Sequence, residues 1–191
     1  MPTDHQRIDP DAGHTLLPIA RAAISTALGF PQQADEEATW LQAPGACFVT
    51  LTQRGELRGC IGTLEARRSL LADVKANAVA AALHDTRFTP LSLPELPRTR
   101  VEVSLLSSMQ PMLFADEADA LAQLQPGVDG VVFEHGHHRS TFLPQVWEQL
   151  PRAANFMAHL KQKAGLPPDF WAKEVRLQRY AVRKWTEGES P

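Results

Sequence analysis

Six consecutive residues, Leu57-Arg58-Gly59-Cys60-Ile61-Gly62, bring together a thiol, a guanidinium and two glycines. In a β-strand, side chains alternate between faces. Arg58, Cys60 and Gly62 would then share one side, and Leu57, Gly59 and Ile61 the other. A guanidinium within a few ångströms of a thiol favours the thiolate. Glycines beside the pair leave backbone uncovered, so a ligand can approach closely. Cys60 is thereby a candidate nucleophile or thiol carrier, with Arg58 as its activator and as an anion holder. The competing reading is a small buried cysteine whose neighbouring glycines ease sheet packing. The run alone leaves both open.

Such a strand needs a partner. Ala46 to Thr52 reads as one strand and Glu56 to Leu64 as the next. Gln53-Arg54-Gly55 between them reads as a three-residue turn with glycine in the left-handed position. That turn pairs Thr52 with Glu56, Thr50 with Arg58 and Phe48 with Cys60. One face then carries Cys47, Val49, Leu51, Leu57 and Ile61. The other carries Thr50, Arg58 and Cys60 beside Gly62. A one-residue slip would mix the two sets, so burial selects this register. Thr50, Gly59 and Gly62 join the candidate site as ligand-binding positions. Cys47 and Cys60 point to opposite faces, which argues against a disulfide between them.

Arg87 is a second candidate anion clamp. It follows a helix expected from Ser69 to about His84, whose buried side is Leu70, Leu71, Val74, Ala78, Ala81 and Ala82. Two arginines converging on one pocket suit a phosphate or a carboxylate. The alternative is a helix cap at His84-Asp85 with Phe88 as an apolar anchor. Gln145, just after Pro144, is a candidate hydrogen-bond donor at a cleft edge, against the alternative of a strand-to-helix corner. Arg67-Arg68 reads as a solvated basic turn. His135, His137 and His138 cluster around Gly136 at the tip of a second hairpin. No cysteine or second spaced ligand pair completes a metal site there, so no metal is assigned. No Walker loop, dinucleotide glycine pattern, Cys-x-x-Cys or nucleophile elbow is present, and no cofactor is expected.

The other elements follow from periodicity. Thr15 to Leu28 reads as a helix stopped by Gly29, with Pro18 in its first turn. Arg98 to Ser107 alternates as a half-buried strand. Ala115 to Leu124 reads as a short helix, Gly130 to Glu134 and Ser140 to Leu143 as the second hairpin, and Ala153 to Ala164 as a helix. Glu174 to Val182 reads as a last strand, with a bulge near Gln178 where the apolar phase changes. Hairpins dominate and no regular βαβ alternation appears. The expected class is α+β, a mostly antiparallel or mixed sheet with flanking helices. Residues 1–13 read as a flexible lead-in, 14–182 as one domain and 183–191 as a tail.

The chain has 191 residues, 43% apolar and 21% charged, with a net charge of −3. That balance argues against bulk-charge binding to nucleic acid. No apolar stretch approaches the ~18 residues of a membrane span. The polar, proline-containing first dozen residues lack a signal-peptide pattern, and with two cysteines the expected location is cytoplasmic.

The run Leu57-Arg58-Gly59-Cys60-Ile61-Gly62 resembles the signature of the AMMECR family, whose bacterial members are called protein A of the AmmeMemoRadiSam system. Further segments agree in order: Phe48-Val49-Thr50-Leu51, His84-Asp85-Thr86-Arg87-Phe88, Val101-Glu102-Val103-Ser104, Phe142-Leu143-Pro144-Gln145-Val146 and Lys163-Ala164-Gly165-Leu166-Pro167. The resemblance spans about residues 14–182. It implies two lobes, the larger formed by both chain ends, with a cleft between them. It also implies association with a Memo-type protein and a radical S-adenosylmethionine protein. The expected function is an enzyme or enzyme component binding a small anionic or nucleotide-like substrate in that cleft, with Cys60 as reactive thiol. The alternative is a non-catalytic partner module for those two proteins.

Overall fold

The structure, a computed structural model, describes residues 9–188. It has the α+β architecture expected from the hairpin-rich pattern, divided into two compact units. The larger unit comprises residues 9–106 together with 183–188, so it is built from both ends of the described chain. The smaller comprises residues 107–182.

In the larger unit, helix α1 (Gly13–Ala27) and helix α2 (Leu70–Leu83) cover one face of a four-stranded sheet. Its strands are β1 (Cys47–Gln53), β2 (Glu56–Gly62), β3 (Arg100–Leu106) and β7 (Val182–Thr186), in the spatial order β7-β3-β1-β2. The core is made by the apolar stripes of the helices, with Leu16, Ile19, Ile24, Val74, Ala78 and Ala81, against Val49, Leu51, Val101 and Val103. Helix α2 starts where expected, with Ser69 Oγ accepting the Ala72 N–H at 3.3 Å. Helix α1 starts two residues earlier than expected. Pro18 therefore lies inside it rather than in its first turn. Gly13 at its start is buried under the Trp185 ring, where a Cβ would come within 2.3 Å of a ring carbon.

The smaller unit holds an antiparallel sheet of β4 (Gly130–His135), β5 (His138–Phe142) and β6 (Arg176–Tyr180), with Gln110–Pro111 paired to β6. Helices α3 (Glu117–Gln123) and α4 (Ala153–Lys163) accompany it, around Phe133, Trp147, Phe156, Met157, Leu160 and Leu177. The second hairpin is as expected, with its turn at Gly136-His137.

The bulge expected near Gln178 is absent, because β6 pairs with β4 in unbroken register from Arg176 to Tyr180. The apolar phase changes there because Tyr180 lies over Gly130, where a Cβ would approach its ring to 2.4 Å. The segment 183–191 is not simply a tail: Val182–Thr186 forms the edge strand β7 of the larger unit's sheet, and 189–191 lie outside the described residues. Of the 1–13 lead-in, 1–8 lie outside the described residues and Gly13 already belongs to α1.

The hairpin that carries the candidate site also departs from the expected geometry. Its turn has two residues, not three. Arg54 and Gly55 both take positive φ, 52° and 82°, and Gln53 faces Glu56. Such a turn matches the right-handed twist of the flanking strands. By itself it would place Arg58 opposite Leu51 on the helix-covered face. A bulge prevents this: Thr52 faces Leu57, Leu51 faces Gly59, and Arg58 is the extra residue. Beyond the bulge Thr50 faces Cys60, Val49 faces Ile61 and Phe48 faces Gly62.

Candidate functional site

Cys60 lies on β2, at the edge of the sheet, on the face turned away from α1 and α2. It is half-buried and a free thiol. Thr50 lies directly opposite on β1, and its Oγ1 donates a hydrogen bond to Cys60 Sγ at 3.3 Å. Because β2 is an edge strand, the Cys60 peptide turns its N–H and C=O outward. Both are taken by the loop after α2. Asp85 Oδ2 accepts the Cys60 N–H at 2.9 Å, and Arg87 Nη2 donates to the Cys60 carbonyl at 3.2 Å. The two loop residues are joined in turn, Arg87 Nε to Asp85 Oδ1 at 2.9 Å and Nη2 to Oδ2 at 2.7 Å. This fork geometry suits a guanidinium and a carboxylate. Arg87 also lies over the Phe88 ring, 5.6 Å from its centroid.

The electrostatics follow from these contacts. The Asp85 side chain is 4% exposed and that of Arg87 55%. The Arg87 guanidinium, followed by the N–H groups of Cys60 and Arg87, holds the Asp85 carboxyl well below the usual carboxylate range. Asp85 is therefore a permanent anion at neutral pH. It fixes the peptide at Cys60 much as a neighbouring strand would, and it blunts the sheet edge there.

Arg58 goes elsewhere. As the bulged residue it gives Nε and Nη2 to Glu95 Oε1, at 3.3 and 3.2 Å. The Ser92 N–H and hydroxyl, then Arg58, hold the Glu95 carboxyl down at about 2. Among the described residues, no hydrogen bond joins Arg58 to the Cys60 thiol; its recorded partner is Glu95. The shared-face geometry expected for the two, with Thr50 opposite Arg58 and Phe48 opposite Cys60, is thus replaced by Thr50 opposite Cys60. Leu57, expected in the apolar set, faces Thr52 on the other side and is 44% exposed.

The two glycines are occupied by packing. A Cβ at Gly59 would lie 2.1 Å from the Ala81 carbonyl oxygen of α2, so the glycine lets strand and helix approach. A Cβ at Gly62 would lie 2.2 Å from the Phe48 ring. Neither leaves the uncovered backbone expected for a ligand approach. Gln145 is exposed in the short helical turn Pro144–Glu148 of the smaller unit. The histidine hairpin forms no metal cluster among the described residues. His138 Nδ1 instead meets the Ala164 carbonyl at 2.8 Å, and His135 packs edge-on against Phe170.

Asp73 and Asn77 escaped the sequence reading. They sit four apart in α2, on the stripe that also carries Leu70, Val74, Ala78 and Ala81. Polar residues in an apolar stripe were the available signal. Asp73 is 1% exposed and Asn77 3%. Asp73 Oδ2 accepts from the Cys47 N–H at 2.9 Å, Thr63 Oγ1 at 2.6 Å, Asn77 Nδ2 at 2.9 Å and Cys47 Sγ at 3.3 Å. Arg68, expected as a solvated turn residue, donates to Asp73 Oδ1 at 2.8 Å. Burial first, and then the Asp73 charge, push the Cys47 thiol far above its ordinary pKa. Glu95 had no sequence signal beyond its place three residues after Ser92.

Comparison with known proteins agrees with this architecture. The AMMECR1 family model matches residues 17–185. A protein of Methanothermobacter thermautotrophicus is 37% identical, covering 93% of this chain and 95% of its own length. A protein of Aeropyrum pernix is also 37% identical, covering 98% of this chain and 84% of the relative. The crystal structure of an uncharacterized protein from Pyrococcus horikoshii superposes with a TM-score of 0.77 at 28% identity, over 95% of this chain and 94% of that one.

Proposed function

This chain belongs to the AMMECR1 family, and we propose that it is an enzyme or enzyme component whose reactive group is the Cys60 thiol, acting on a small anionic or nucleotide-like substrate. The observation that carries the reading is the way one residue is held. The Cys60 N–H, C=O and Sγ each have a dedicated partner, in Asp85, Arg87 and Thr50. Water would satisfy an edge peptide without help. Burying a carboxylate for the purpose is costly unless it is paired, so this arrangement supports a role in which the position of the thiol matters. Arg87 supports the anionic substrate. Its side chain is 55% exposed, and among the described residues its guanidinium bonds run through Nε and Nη2, which leaves the Nη1 side for a ligand oxygen. Its charge is balanced by Asp85, so an anion would be recognised by directed N–H bonds more than by net field.

The test is genetic and chemical together. In the source organism, deletion followed by metabolite profiling should show a change that the wild-type chain reverses and Cys60→Ala and Cys60→Ser do not. Both variants should unfold at the wild-type temperature. Full reversal by both would remove the thiol from the function.

A second reading is favoured by the residues around the thiol. Leu57 is 44% exposed, and Phe48 is partly exposed on the same face. This face would then dock another protein, such as the Memo-type or radical S-adenosylmethionine protein that the resemblance implied. Co-purification with either protein, lost in Leu57→Asp and kept in Cys60→Ser, would establish it.

A further inference from the structure

The opposite edge of the same sheet carries a cavity of about 670 Å³, lined by α1 and β7. Pockets of roughly 300–1,000 Å³ hold small molecules. β7 and β2 lie at the two ends of the order β7-β3-β1-β2, so this cavity is separate from Cys60.

One wall is pre-set. The Trp185 ring lies on Gly13, and its Nε1 donates to the Pro10 carbonyl at 2.8 Å. Leu17 and Pro18 of α1 add apolar surface. The charges sort into committed and free. Arg21 is committed: it pairs through Nε and Nη2 with both oxygens of Glu187, and it donates to Thr99 O at 2.6 Å and Leu96 O at 3.3 Å. Glu187 is thereby neutralised, and its Oε2 also takes the Val101 N–H at 2.9 Å. Lys184 and Thr186 also line the cavity, but their side chains are engaged with Glu102, at 3.8 and 3.0 Å. Alternation puts Arg183 on the side of Trp185, facing α1. Arg183 is exposed, lines the cavity, and has no recorded hydrogen-bond or ion-pair partner among the described residues. His14 lines the same mouth.

We propose that this cavity binds a small organic anion with a flat apolar body, the body lying against Trp185 and Leu17 and the anionic group meeting Arg183. A planar ring fits a fixed indole wall. Among the described residues that line the cavity, Arg183 is a guanidinium without a carboxylate partner, and its planar fork suits an anionic group better than the Lys184 ammonium, which pairs with Glu102.

Phenyl phosphate is the probe, titrated into the full chain by calorimetry and saturation-transfer NMR. Binding should be at least about ten-fold tighter than for inorganic phosphate, which lacks the body, and for benzyl alcohol, which lacks the charge. Arg183→Ala should weaken phenyl phosphate by about ten-fold or more, and Leu17→Glu should abolish its binding. Both positions are outside the fully buried core, and a matching thermal melt confirms that each variant folds. Absence of phenyl phosphate binding at about 10 mM, equal binding of inorganic phosphate, or binding unchanged in both variants would overturn the proposal.

Discussion

The chain's two cysteines occupy parallel arrangements with opposite exposure. Each donates its backbone N–H to an aspartate at 2.9 Å, Cys47 to Asp73 and Cys60 to Asp85. Each aspartate is paired with an arginine, Arg68 in one case and Arg87 in the other. Around Asp73 the arrangement is sealed: Cys47 is 0% exposed, and its thiol is spent on the same carboxylate that takes its peptide. Around Asp85 it is open: Cys60 is half-buried, its thiol accepts a hydrogen bond from the neutral Thr50 hydroxyl, and Arg87 reaches solvent. The same device ties helix to sheet in the first place and fixes a peptide at a sheet edge in the second. What separates a structural from a candidate functional cysteine here is the sheet face it occupies, not its polar partners.

Alkylation should separate the two thiols most. In native protein, N-ethylmaleimide followed by mass spectrometry should label Cys60 at least about a hundred-fold faster than Cys47, which reacts only through unfolding. Equal rates would break the comparison. Removing the acids comes next. Asp73→Ala strands buried donors from Cys47, Thr63 and Asn77 and should cost about 3–5 kcal/mol in urea unfolding. Asp85→Ala leaves a peptide and an arginine that water can reach, and should cost about 1–2 kcal/mol. A reversed order would place the structural anchor at the sheet edge.

The smallest effect concerns another acid–arginine pair, Glu95 with Arg58. The Glu95 carboxyl is held at about 2, below its ordinary 4.5. Its contribution to stability is therefore complete above about pH 4.5 and is lost as pH falls toward 2. Glu95→Gln should flatten that part of the acid-unfolding curve while leaving neutral-pH Cys60 labelling unchanged. An unaltered acid curve would detach Glu95 from the stability of this corner.

Much of the fold was legible because each element buries its own periodic face. The stripe Leu16, Ile19, Ala23 announces α1, and the alternation Val101, Val103, Leu105 announces β3. The opposite facing of Cys47 and Cys60 also followed from alternation and survived the change of turn. The bulge at Arg58 did not follow. Arg54 is a poor candidate for positive φ, so a three-residue turn was the better local choice. Only the helix above the sheet, with the Ala81 carbonyl where a Gly59 Cβ would go, requires Gly59 to face inward and so expels Arg58 from the pairing.

The candidate site divides in the same way. Cys60 and Arg87 were named from residue type and Thr50 from the strand face, and the structure brings both Thr50 and Arg87 into hydrogen bonds with Cys60. The partners that fix them, Asp85 for Cys60 and Glu95 for Arg58, lie 25 and 37 residues away along the chain. No periodicity reports a contact across such a distance. Local order is written in the spacing of apolar side chains, because burial acts on one element at a time. Which carboxylate meets which peptide is settled only when α2 docks on the sheet and carries its following loop to the free edge of β2.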